Sequence, residues 1–368
     1  MAISILSCLR IFTLVMFVLE PNRVLGSRHF GFISYGDNGA GMCASTVATH
    51  GYKCQEFEVK TDDGYILSVQ RIPQGRVGGG GQIRQPVLLQ HGVLVDGATW
   101  LLSPPEQSLA MMLADNGFDV WISNTRGTRY SRRHVTLDAR DSGTLIALAS
   151  FSEGREIVKV KSAALLSPIA YLSHMTTALG EVAARAFVGE ITTIFGLAEF
   201  NPKGGPVNKL LKFFCAQPGV NCYDLMTAIT GKNCCLNSST VEIFLNDEPQ
   251  STSTKNLVHL AQTVRDGILS KYDYGSNYNL EHYGETKPPK YNLGNIPRDL
   301  PLFLSYGGQD ALSDSKDVET LLDYLKFHDV DKLHVQYIKN YAHADFVMAT
   351  NANDLVYNQI ISFFRNYA

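Results

Sequence analysis

Hydrophobic and polar positions in the first half of the chain switch repeatedly between a strand pattern and a helix pattern. Strict alternation on both sides of the turn Asp62-Asp-Gly64 predicts a β-hairpin, and short continuous apolar runs predict buried strands. The predicted elements are a hairpin at 55–72, strands at 86–90, 118–124 and 161–168, and helices at 105–116 and 143–151. Strands that alternate with helices in this order predict an α/β domain with a mainly parallel sheet and flanking helices.

The alternation stops in the middle of the chain and returns near its end. Residues 169–296 lack the strand–helix rhythm, which indicates an insertion packed over the sheet. The rhythm resumes with a strand at 300–306, a helix at 315–327, a strand at 333–338 and a helix at 354–366. We therefore expect residues 43–168 and 297–368 to form one α/β core, with residues 169–296 as its cap.

An apolar run near the N-terminus predicts a signal peptide over residues 1–26. Residues 11–19 are almost entirely apolar, and this run is shorter than the roughly 20 residues that span a bilayer. Val24-Leu-Gly26 offers small residues for cleavage after Gly26. A signal anchor or a frayed terminus is the alternative. No later stretch is apolar for long enough to span a membrane, so we expect a soluble chain without a transmembrane segment, secreted or lumenal.

Composition excludes several classes of protein. Hydrophobic residues make up 45% of the 368-residue chain, which is enough for a sizeable core and excludes wholesale disorder. The chain has 32 basic and 35 acidic residues, and its formal net charge is -3. Proteins that bind nucleic acid usually carry a basic patch or a high net positive charge, so no nucleic-acid partner is expected.

The cysteines fit an oxidising compartment. Cys8 lies in the predicted leader, and the six that remain are Cys43, Cys54, Cys215, Cys222, Cys234 and Cys235. An even number predicts disulfides, but six cysteines allow many connectivities and the sequence selects none of them. A zinc site is the alternative, and the paired Cys-x-x-Cys spacing of such sites is absent from the sequence. Asn237-Ser-Ser239 is a candidate glycosylation acceptor.

Two residues that follow the last predicted strands carry candidate chemistry. Asp310 ends the motif Tyr306-Gly-Gly-Gln-Asp310, and His343 ends the motif Asn340-Tyr-Ala-His343. Ligands of such sheets bind beyond the carboxyl ends of the strands, where both motifs lie. Two alternatives stay open, because Asp310 is also suited to capping the following turn and His343 to an ordinary loop position.

A third feature follows an early strand. His91-Gly92 ends the strand predicted at 86–90, and the next backbone N–H belongs to Val93. An α/β-hydrolase places its acid and its histidine in two C-terminal loops and takes an oxyanion-binding N–H from a loop after an early strand. The pattern therefore favours a hydrolase site that contains Asp310, His343 and the Val93 amide.

Eight motifs distributed over the chain carry a resemblance to one family. They are Asp62-Asp-Gly-Tyr-Ile-Leu67, Leu89-Gln-His-Gly92, Leu113-Ala-Asp-Asn-Gly-Phe-Asp-Val-Trp121, Asn124-Thr-Arg-Gly127, Ser131-Arg-Arg-His134, Leu166-Ser-Pro-Ile-Ala170, Tyr306-Gly-Gly-Gln-Asp310 and His343-Ala-Asp-Phe346. With them the chain resembles the acid lipases, the α/β-hydrolase group of gastric, lysosomal and plant triacylglycerol lipases. The resemblance covers nearly all of residues 43–368 and is greatest to the plant members.

The resemblance implies a function and roles for individual residues. It implies hydrolysis of acyl esters of neutral lipids at a lipid–water interface, under a mobile cap and without a metal or other cofactor. Asp310 matches the triad acid, His343 the triad base and Val93 one oxyanion donor. The implied location is extracellular or a vacuole-like or lysosome-like compartment.

The segment that should carry the nucleophile departs from the family pattern. The family has an apolar strand that leads into Gly-x-Ser-x-Gly, whereas this chain has Ala139-Arg-Asp-Ser142-Gly143. Only 16 residues, 126–141, separate the strand that ends at Thr125 from Ser142. A parallel crossover needs roughly 30 residues or more, so one central strand and its crossover helix are expected to be missing. Ser142 is the candidate nucleophile, and the Gly143 amide the second candidate oxyanion donor.

Three functions remain open from the sequence. The first is an acyl-ester hydrolase, in which His343, oriented by Asp310, takes the proton from the serine. The second is a catalytically impaired, lipase-like chain that keeps only a lipid-binding pocket. The third is a poorly folded product. Skipping of an internal segment, as in a splice variant or a wrongly joined gene, explains the missing strand best.

Overall fold

The computed structural model describes residues 14–19, 33–35, 41–77, 83–135, 146–154, 160–177, 199–200, 226–227 and 229–367. Its strands are β1 (Leu14–Leu19), β2 (Ile33–Tyr35), β3 (Gln55–Lys60), β4 (Tyr65–Ile72), β5 (Pro86–Gln90), β6 (Asp119–Ser123), β7 (Arg133–His134), β8 (Val160–Leu166), β9 (Glu199–Phe200), β10 (Thr252–Ser253), β11 (Leu302–Gly307) and β12 (Leu333–Ile338). Its α-helices are α1 (Leu109–Asp115), α2 (Ile146–Ser152), α3 (Ser238–Asp247), α4 (Thr254–Asp266), α5 (Ser276–Tyr283), α6 (Ser315–Tyr324), α7 (Asp345–Met348) and α8 (Asn358–Asn366). Shorter helical turns lie at Cys43–Val47, Ala48–His50, Gly97–Leu101, Pro105–Gln107, Leu293–Asn295 and Asn353–Tyr357.

The predicted strands and helices are present, with differences at their ends that have local causes. Helix α1 begins at Leu109, four residues later than predicted, because the Ser108 hydroxyl caps it by accepting the N–H of Met111 at 3.4 Å. The preceding residues form the separate turn Pro105–Gln107. The last helix begins with the wide turn Asn353–Tyr357 before the regular part of α8.

The main sheet is mixed, and it contains the expected parallel strands together with antiparallel ones. Its strand order is β12-β11-β8-β1-β5-β6-β4-β3-β2, with β7 paired to β4. Within the described residues, β11 pairs in parallel with β12 and β8, and β5 pairs in parallel with β6. The other pairs are antiparallel, and among them β3 and β4 form the predicted hairpin around the turn at 62–64.

The core lies on both faces of the parallel part of the sheet. Along β8, Ala163 and Leu165 pack in one apolar cluster and Ala164 and Leu166 in the other. Successive side chains of a strand point to opposite faces, so each cluster covers one face. Burial on both faces explains why these strands have continuous apolar sequences instead of alternating ones.

Among the described strands, β1 lies between β5 and β8, where the fold expected from the sequence has the strand that precedes the nucleophile. Its residues run antiparallel to both neighbours, with Val15 opposite Gln90 in β5 and Leu14 opposite Leu166 in β8. The sequence predicts that this run leaves with the signal peptide. A short run rich in Leu, Val and Phe suits a leader and a buried strand equally well, because the periodicity of such a run does not distinguish them.

Residues 169–296, which we call the middle segment, contact the core at the carboxyl ends of its strands. An isolated bridge pairs Gly231 with Asp310, and the N–H of Gln250 donates to the carbonyl of Leu94 at 2.7 Å. The Arg129 guanidinium of the core lies 2.8 Å from Asp247 in α3. Among the described helices, none combines the length and the apolar character that crossing a membrane requires.

Candidate active site

Asp310 and His343 lie side by side at the carboxyl end of the sheet. Because β11 and β12 are parallel and in register, the loops that follow them leave the same edge. His343 Nδ1 lies 3.0 Å from Asp310 Oδ2 and 3.3 Å from Oδ1. Both residues are buried, with 5% of Asp310 and 1% of His343 exposed. The structure thus brings together two of the residues that the sequence selected.

A glycine allows the two loops to approach this closely. A Cβ atom on Gly307, at the end of β11, would lie 2.1 Å from the carbonyl oxygen of Tyr341. The N–H of Gln309 donates to that same carbonyl at 2.9 Å. The hydrogen bond therefore requires a residue without a side chain at position 307, which explains the glycine after the apolar run.

The Asp310 carboxylate also caps the turn that follows it. Its Oδ1 accepts the backbone N–H groups of Leu312 at 2.9 Å and Ser313 at 2.8 Å. The turn-capping alternative is therefore correct, and it does not compete with the contact to His343. Oδ1 fixes the orientation of the carboxylate, and Oδ2 faces the imidazole.

The contact with Asp310 fixes the chemistry of the His343 ring. An ionised carboxylate only accepts hydrogen bonds, so Nδ1 of a neutral imidazole carries the proton and donates it to Asp310. The lone pair then resides on Nε2, which makes Nε2 the basic nitrogen. This arrangement of acid and imidazole matches that of a serine-hydrolase triad.

One carbonyl of the middle segment holds both loops. The carbonyl oxygen of Thr230 accepts the N–H of His343 at 3.1 Å and the N–H of Ala311 at 3.3 Å. The next residue, Gly231, has a φ of 96°, and a Cβ atom there would lie 2.0 Å from the carbonyl oxygen of Gln309. The site is therefore built from the middle segment as well as from the core.

Asp345 ties the His343 loop to the paired cysteines of the middle segment. Its carboxylate is buried and accepts the N–H groups of Ala342 at 2.8 Å, Cys234 at 3.1 Å and Cys235 at 3.2 Å. Burial raises the pKa of the Asp345 carboxyl, and these three amides oppose that shift. The sequence showed Asp345 in the motif after His343 without indicating this role.

A third side chain, that of Ser167, contacts both Asp310 and His343, and no sequence motif had marked it as a site residue. It follows β8, is fully buried, and its Oγ contacts Asp310 Oδ2 and lies 2.8 Å from His343 Nδ1. Its φ is 51°, in the left-handed region that costs a non-glycine residue about 1–3 kcal/mol. The available signal was its place in Leu166-Ser-Pro168, immediately after a strand that neighbours β11.

Val93 lies in a buried loop after β5. It is 6% exposed, and the next residue, Leu94, has a φ of 61°. His91, which precedes this loop, donates from Nδ1 to the carbonyl of Gly92 at 2.7 Å, and its Nε2 accepts the N–H of Thr125 at 2.9 Å. These bonds hold the loop against β6. Burial lowers the pKa of His91, while the Gly92 carbonyl and Asp96 oppose that shift.

The state of His91 leads to a prediction about acid stability. Because the pKa of His91 is lower in the folded chain than the unfolded value of about 6.5, the unfolded chain binds more protons between the two values. This contribution to stability is lost as the pH falls below about 6.5, at up to about 1.4 kcal/mol per pH unit. His91→Asn is expected to flatten the dependence of the urea-unfolding free energy on pH.

The matched control is His50→Asn, since His50 is exposed. This control should retain the pH dependence of the original chain. If the urea-unfolding free energy depends on pH equally in the original chain and in His91→Asn, the interpretation of His91 as a buried, neutral histidine is contradicted.

Of the remaining predicted site residues, the structure describes Asn237, whereas Ser142 and Gly143 lie outside the described residues. Asn237 is exposed and caps helix α3, since its Oδ1 accepts the N–H of Ser239 at 2.9 Å. A glycan attaches through the side-chain nitrogen of asparagine, so the cap and a glycan at Asn237 are compatible.

The described cysteines form two disulfides, Cys43–Cys54 and Cys234–Cys235. Cys215 and Cys222 lie outside the described residues. In the part of the chain that the structure describes, Cys234, Cys235 and Asp345 form one cluster of potential metal ligands. The sulfur atoms are bonded to each other and the carboxylate is bound by amides, so this cluster does not suit a metal.

Comparisons with known proteins agree with this geometry. Residues 43–104 match a family described as a partial alpha/beta-hydrolase lipase region. The chain is 51% identical to triacylglycerol lipase 2 of Arabidopsis thaliana, over 99% of this chain and 96% of that protein. It is 32% identical to human gastric triacylglycerol lipase, over 92% of this chain and 95% of that protein.

The first of these alignments runs over 404 positions, which is 36 more than this chain has residues. The aligned part of the Arabidopsis protein therefore contains at least 36 residues without a counterpart in this chain.

A solved structure shows the same fold. A soluble variant of monoglyceride lipase from Saccharomyces cerevisiae, in complex with a substrate analogue, aligns with a TM-score of 0.52 at 12% identity. The alignment covers 86% of this chain and 96% of that chain. Together with identity to Arabidopsis triacylglycerol lipase 2 over nearly the whole length, this shows that the chain belongs to the acid and triacylglycerol lipase family of α/β-hydrolases, which are carboxylic-ester hydrolases.

Proposed function

We propose that this chain carries the site of an acyl-ester hydrolase for neutral lipids, with His343 as the base and Asp310 as the acid that orients it. The contact of 3.0 Å between His343 Nδ1 and Asp310 Oδ2 is the observation that carries the proposal. Both groups are buried, and both follow parallel strands at the edge where such sheets bind ligands. No cofactor is needed, because the imidazole supplies the proton transfer.

The remaining roles follow from the family's reaction. Ser142 would attack the carbonyl carbon of the ester while His343 Nε2 takes its proton. The negative charge that develops on the carbonyl oxygen would be stabilised by the backbone N–H groups of Val93 and Gly143. His343 would then return the proton to the leaving alcohol, and water would release the acyl group by the same steps.

The position of the middle segment supports the proposal of a lipid substrate. We assign residues 169–296 as the cap of a core formed by 43–168 and 297–368. In support of this division, the middle segment contacts the Asp310 loop, the His343 loop and the loop of Val93. The relatives are named triacylglycerol lipases, so we infer a neutral lipid ester at a lipid–water interface as the substrate.

A second candidate function is an impaired lipase-like chain that keeps the lipid pocket without an organised nucleophile. A specific observation favours it, since β1 occupies the sheet position between β5 and β8 and runs antiparallel. In this fold the nucleophile follows a central parallel strand and precedes a helix, on a strained turn that exposes its hydroxyl. An antiparallel strand at this position cannot lead into such a turn at the carboxyl edge.

We also infer a secreted or lumenal location. The disulfide Cys43–Cys54 and the exposed Asn237 suit an oxidising compartment with glycosylation. The predicted leader supports the same location, but its removal would take β1 out of the sheet. If residues 1–26 are removed as a leader, the sheet lacks β1. The same residues therefore cannot be both a cleaved leader and a strand of the mature fold.

A serine-reactive phosphonate tests the proposed function. Under the proposed function, Ser142 is stably labelled. In the impaired chain, Ser142 is labelled at least about 10²-fold more slowly than the nucleophile of Arabidopsis triacylglycerol lipase 2, because small misplacement of a reacting group has that cost. Mass spectrometry of the digested protein identifies the labelled residue, and His343→Ala is the control that removes the base. Labelling of Ser142 as fast as in the relative would exclude the impaired chain, and labelling of a different serine would overturn the choice of nucleophile.

A further inference from the structure

Ser167 is held in place by bonds on both sides of its peptide. Its N–H donates to the carbonyl of Ser305 in β11 at 2.7 Å. The carbonyl of the next residue, Pro168, accepts the hydroxyl of Ser313 at 2.6 Å. Ser313 belongs to the turn that Asp310 caps, so the position of Ser167 is coupled to that of Asp310.

The backbone of Ser167 indicates that its side chain is needed. A φ of 51° suits glycine, and the proline that follows disfavours this region further. Glycine would adopt this conformation without strain. A serine here retains an unfavourable backbone together with a hydroxyl that contacts both members of the pair, and strain of this kind points to a function for the residue.

The available protons allow one consistent arrangement of the three side chains. The Asp310 carboxylate only accepts, so the Ser167 hydroxyl donates its single proton to Asp310 Oδ2. The Ser167 oxygen then accepts at 2.8 Å from Nδ1 of His343, so the single Nδ1 proton is shared between Ser167 Oγ and Asp310 Oδ2, 3.0 Å away. Each side chain therefore fixes the other two, and the proton of the neutral imidazole stays on Nδ1.

A role as nucleophile does not fit this geometry. A nucleophilic serine must face the basic nitrogen, which here is Nε2 because Asp310 holds Nδ1. Ser167 lies on the Nδ1 side, in contact with Asp310 itself, and is fully buried. Its hydroxyl is therefore placed to orient the imidazole and not to attack an ester.

We propose that Ser167 is a positioning residue, whose hydroxyl holds the Asp310 carboxylate and keeps the His343 proton on Nδ1. This inference rests on the proposed function for its catalytic meaning. The geometry on which it depends can be tested without any turnover. Failure of the Ser167 proposal can therefore be distinguished from failure of the proposed hydrolase function.

The test is nitrogen-15 NMR of histidine-labelled protein, with the His343 signals assigned from the His343→Ala spectrum. In the original chain we expect a neutral His343 with the proton on Nδ1 and slow exchange of that proton with solvent. In Ser167→Ala, loss of one buried hydrogen bond should speed this exchange by about tenfold or populate the Nε2–H tautomer. Ser162→Ala is the matched control, because Ser162 is a buried serine of β8 whose hydroxyl has no hydrogen-bond partner in the part of the chain that the structure describes.

Ser167→Gly provides the second variant, since glycine relieves the backbone strain and keeps the test valid if Ser167→Ala fails to fold. Both variants should give the same change, and Ser162→Ala should give none. Unchanged tautomer and exchange in Ser167→Gly would show that the hydroxyl only fills space, which overturns the proposal. A phosphonate adduct on Ser167 would overturn it as well, because it would make Ser167 a nucleophile.

Discussion

Hydrolysis of a short-chain nitrophenyl ester by the purified, folded chain is expected to be far slower than hydrolysis by Arabidopsis triacylglycerol lipase 2. Loss of a nucleophile costs on the order of 10⁶ in rate in a serine protease, and loss of the other triad members then adds little. If Ser142 is out of place, as in the impaired chain, His343→Ala should change the rate by less than about threefold, whereas in a working triad it should abolish turnover. Initial rates with and without the substitution provide the measurement.

A chimaeric chain gives the matched positive control. Inserting the relative's elbow-bearing segment before Gly143 should restore a parallel central strand and a supported serine. Activity should then rise by several orders of magnitude and become dependent on His343. If the original chain is already highly active, and both His343→Ala and Ser142→Ala remove that activity, then the inferred deletion is wrong.

Deletion of residues 1–26 is expected to destabilise the chain severely. Strand β1 pairs with β5 on one side and with β8 on the other, so its loss leaves two open edges in the middle of the sheet. Each backbone hydrogen bond lost costs about 0.5–1.5 kcal/mol, and the whole strand accounts for several of them. The sum is comparable with the 5–15 kcal/mol that typically separates folded from unfolded protein. Urea unfolding, with binding of a dye specific for exposed apolar surface, measures the loss.

The chimaeric chain is again the control for this second prediction. In that chain the inserted strand takes the position of β1, so deletion of residues 1–26 should leave the urea midpoint nearly unchanged. If the original chain loses residues 1–26 without any change in midpoint, β1 does not hold the sheet together. The segment would then act only as a leader.

Both predictions concern the same feature of the fold, the position in the sheet between β5 and β8. The Asp310–His343 pair depends on β11, β12 and Thr230, and all of these are independent of the missing strand. The nucleophile depends on that strand entirely. The contact between Asp310 and His343 is therefore expected to form whether or not Ser142 is supported by a strand.

The local pattern of the sequence was sufficient for most of the architecture. Short, mainly apolar runs marked β5, β6, β8 and β11, because strands buried on both faces tolerate few polar residues. The edge strand β12 alternates instead, with exposed positions along its length. Short loops after two neighbouring strands placed Asp310 and His343 at one edge. The absence of a nucleophile strand stays a prediction, based on a count of residues that leaves too little room for a crossover.

The sequence alone determined the family, the core strands and the proximity of Asp310 to His343, since these depend on local motifs and on strand order. Only the tertiary structure showed that β1 fills the central position, that the Thr230 carbonyl joins the two loops, and that Ser167 contacts the pair. Each of these joins parts of the chain far apart in sequence, and no local period or motif records such a contact. They arise because unpaired strand edges and buried polar groups must find partners wherever the fold brings them.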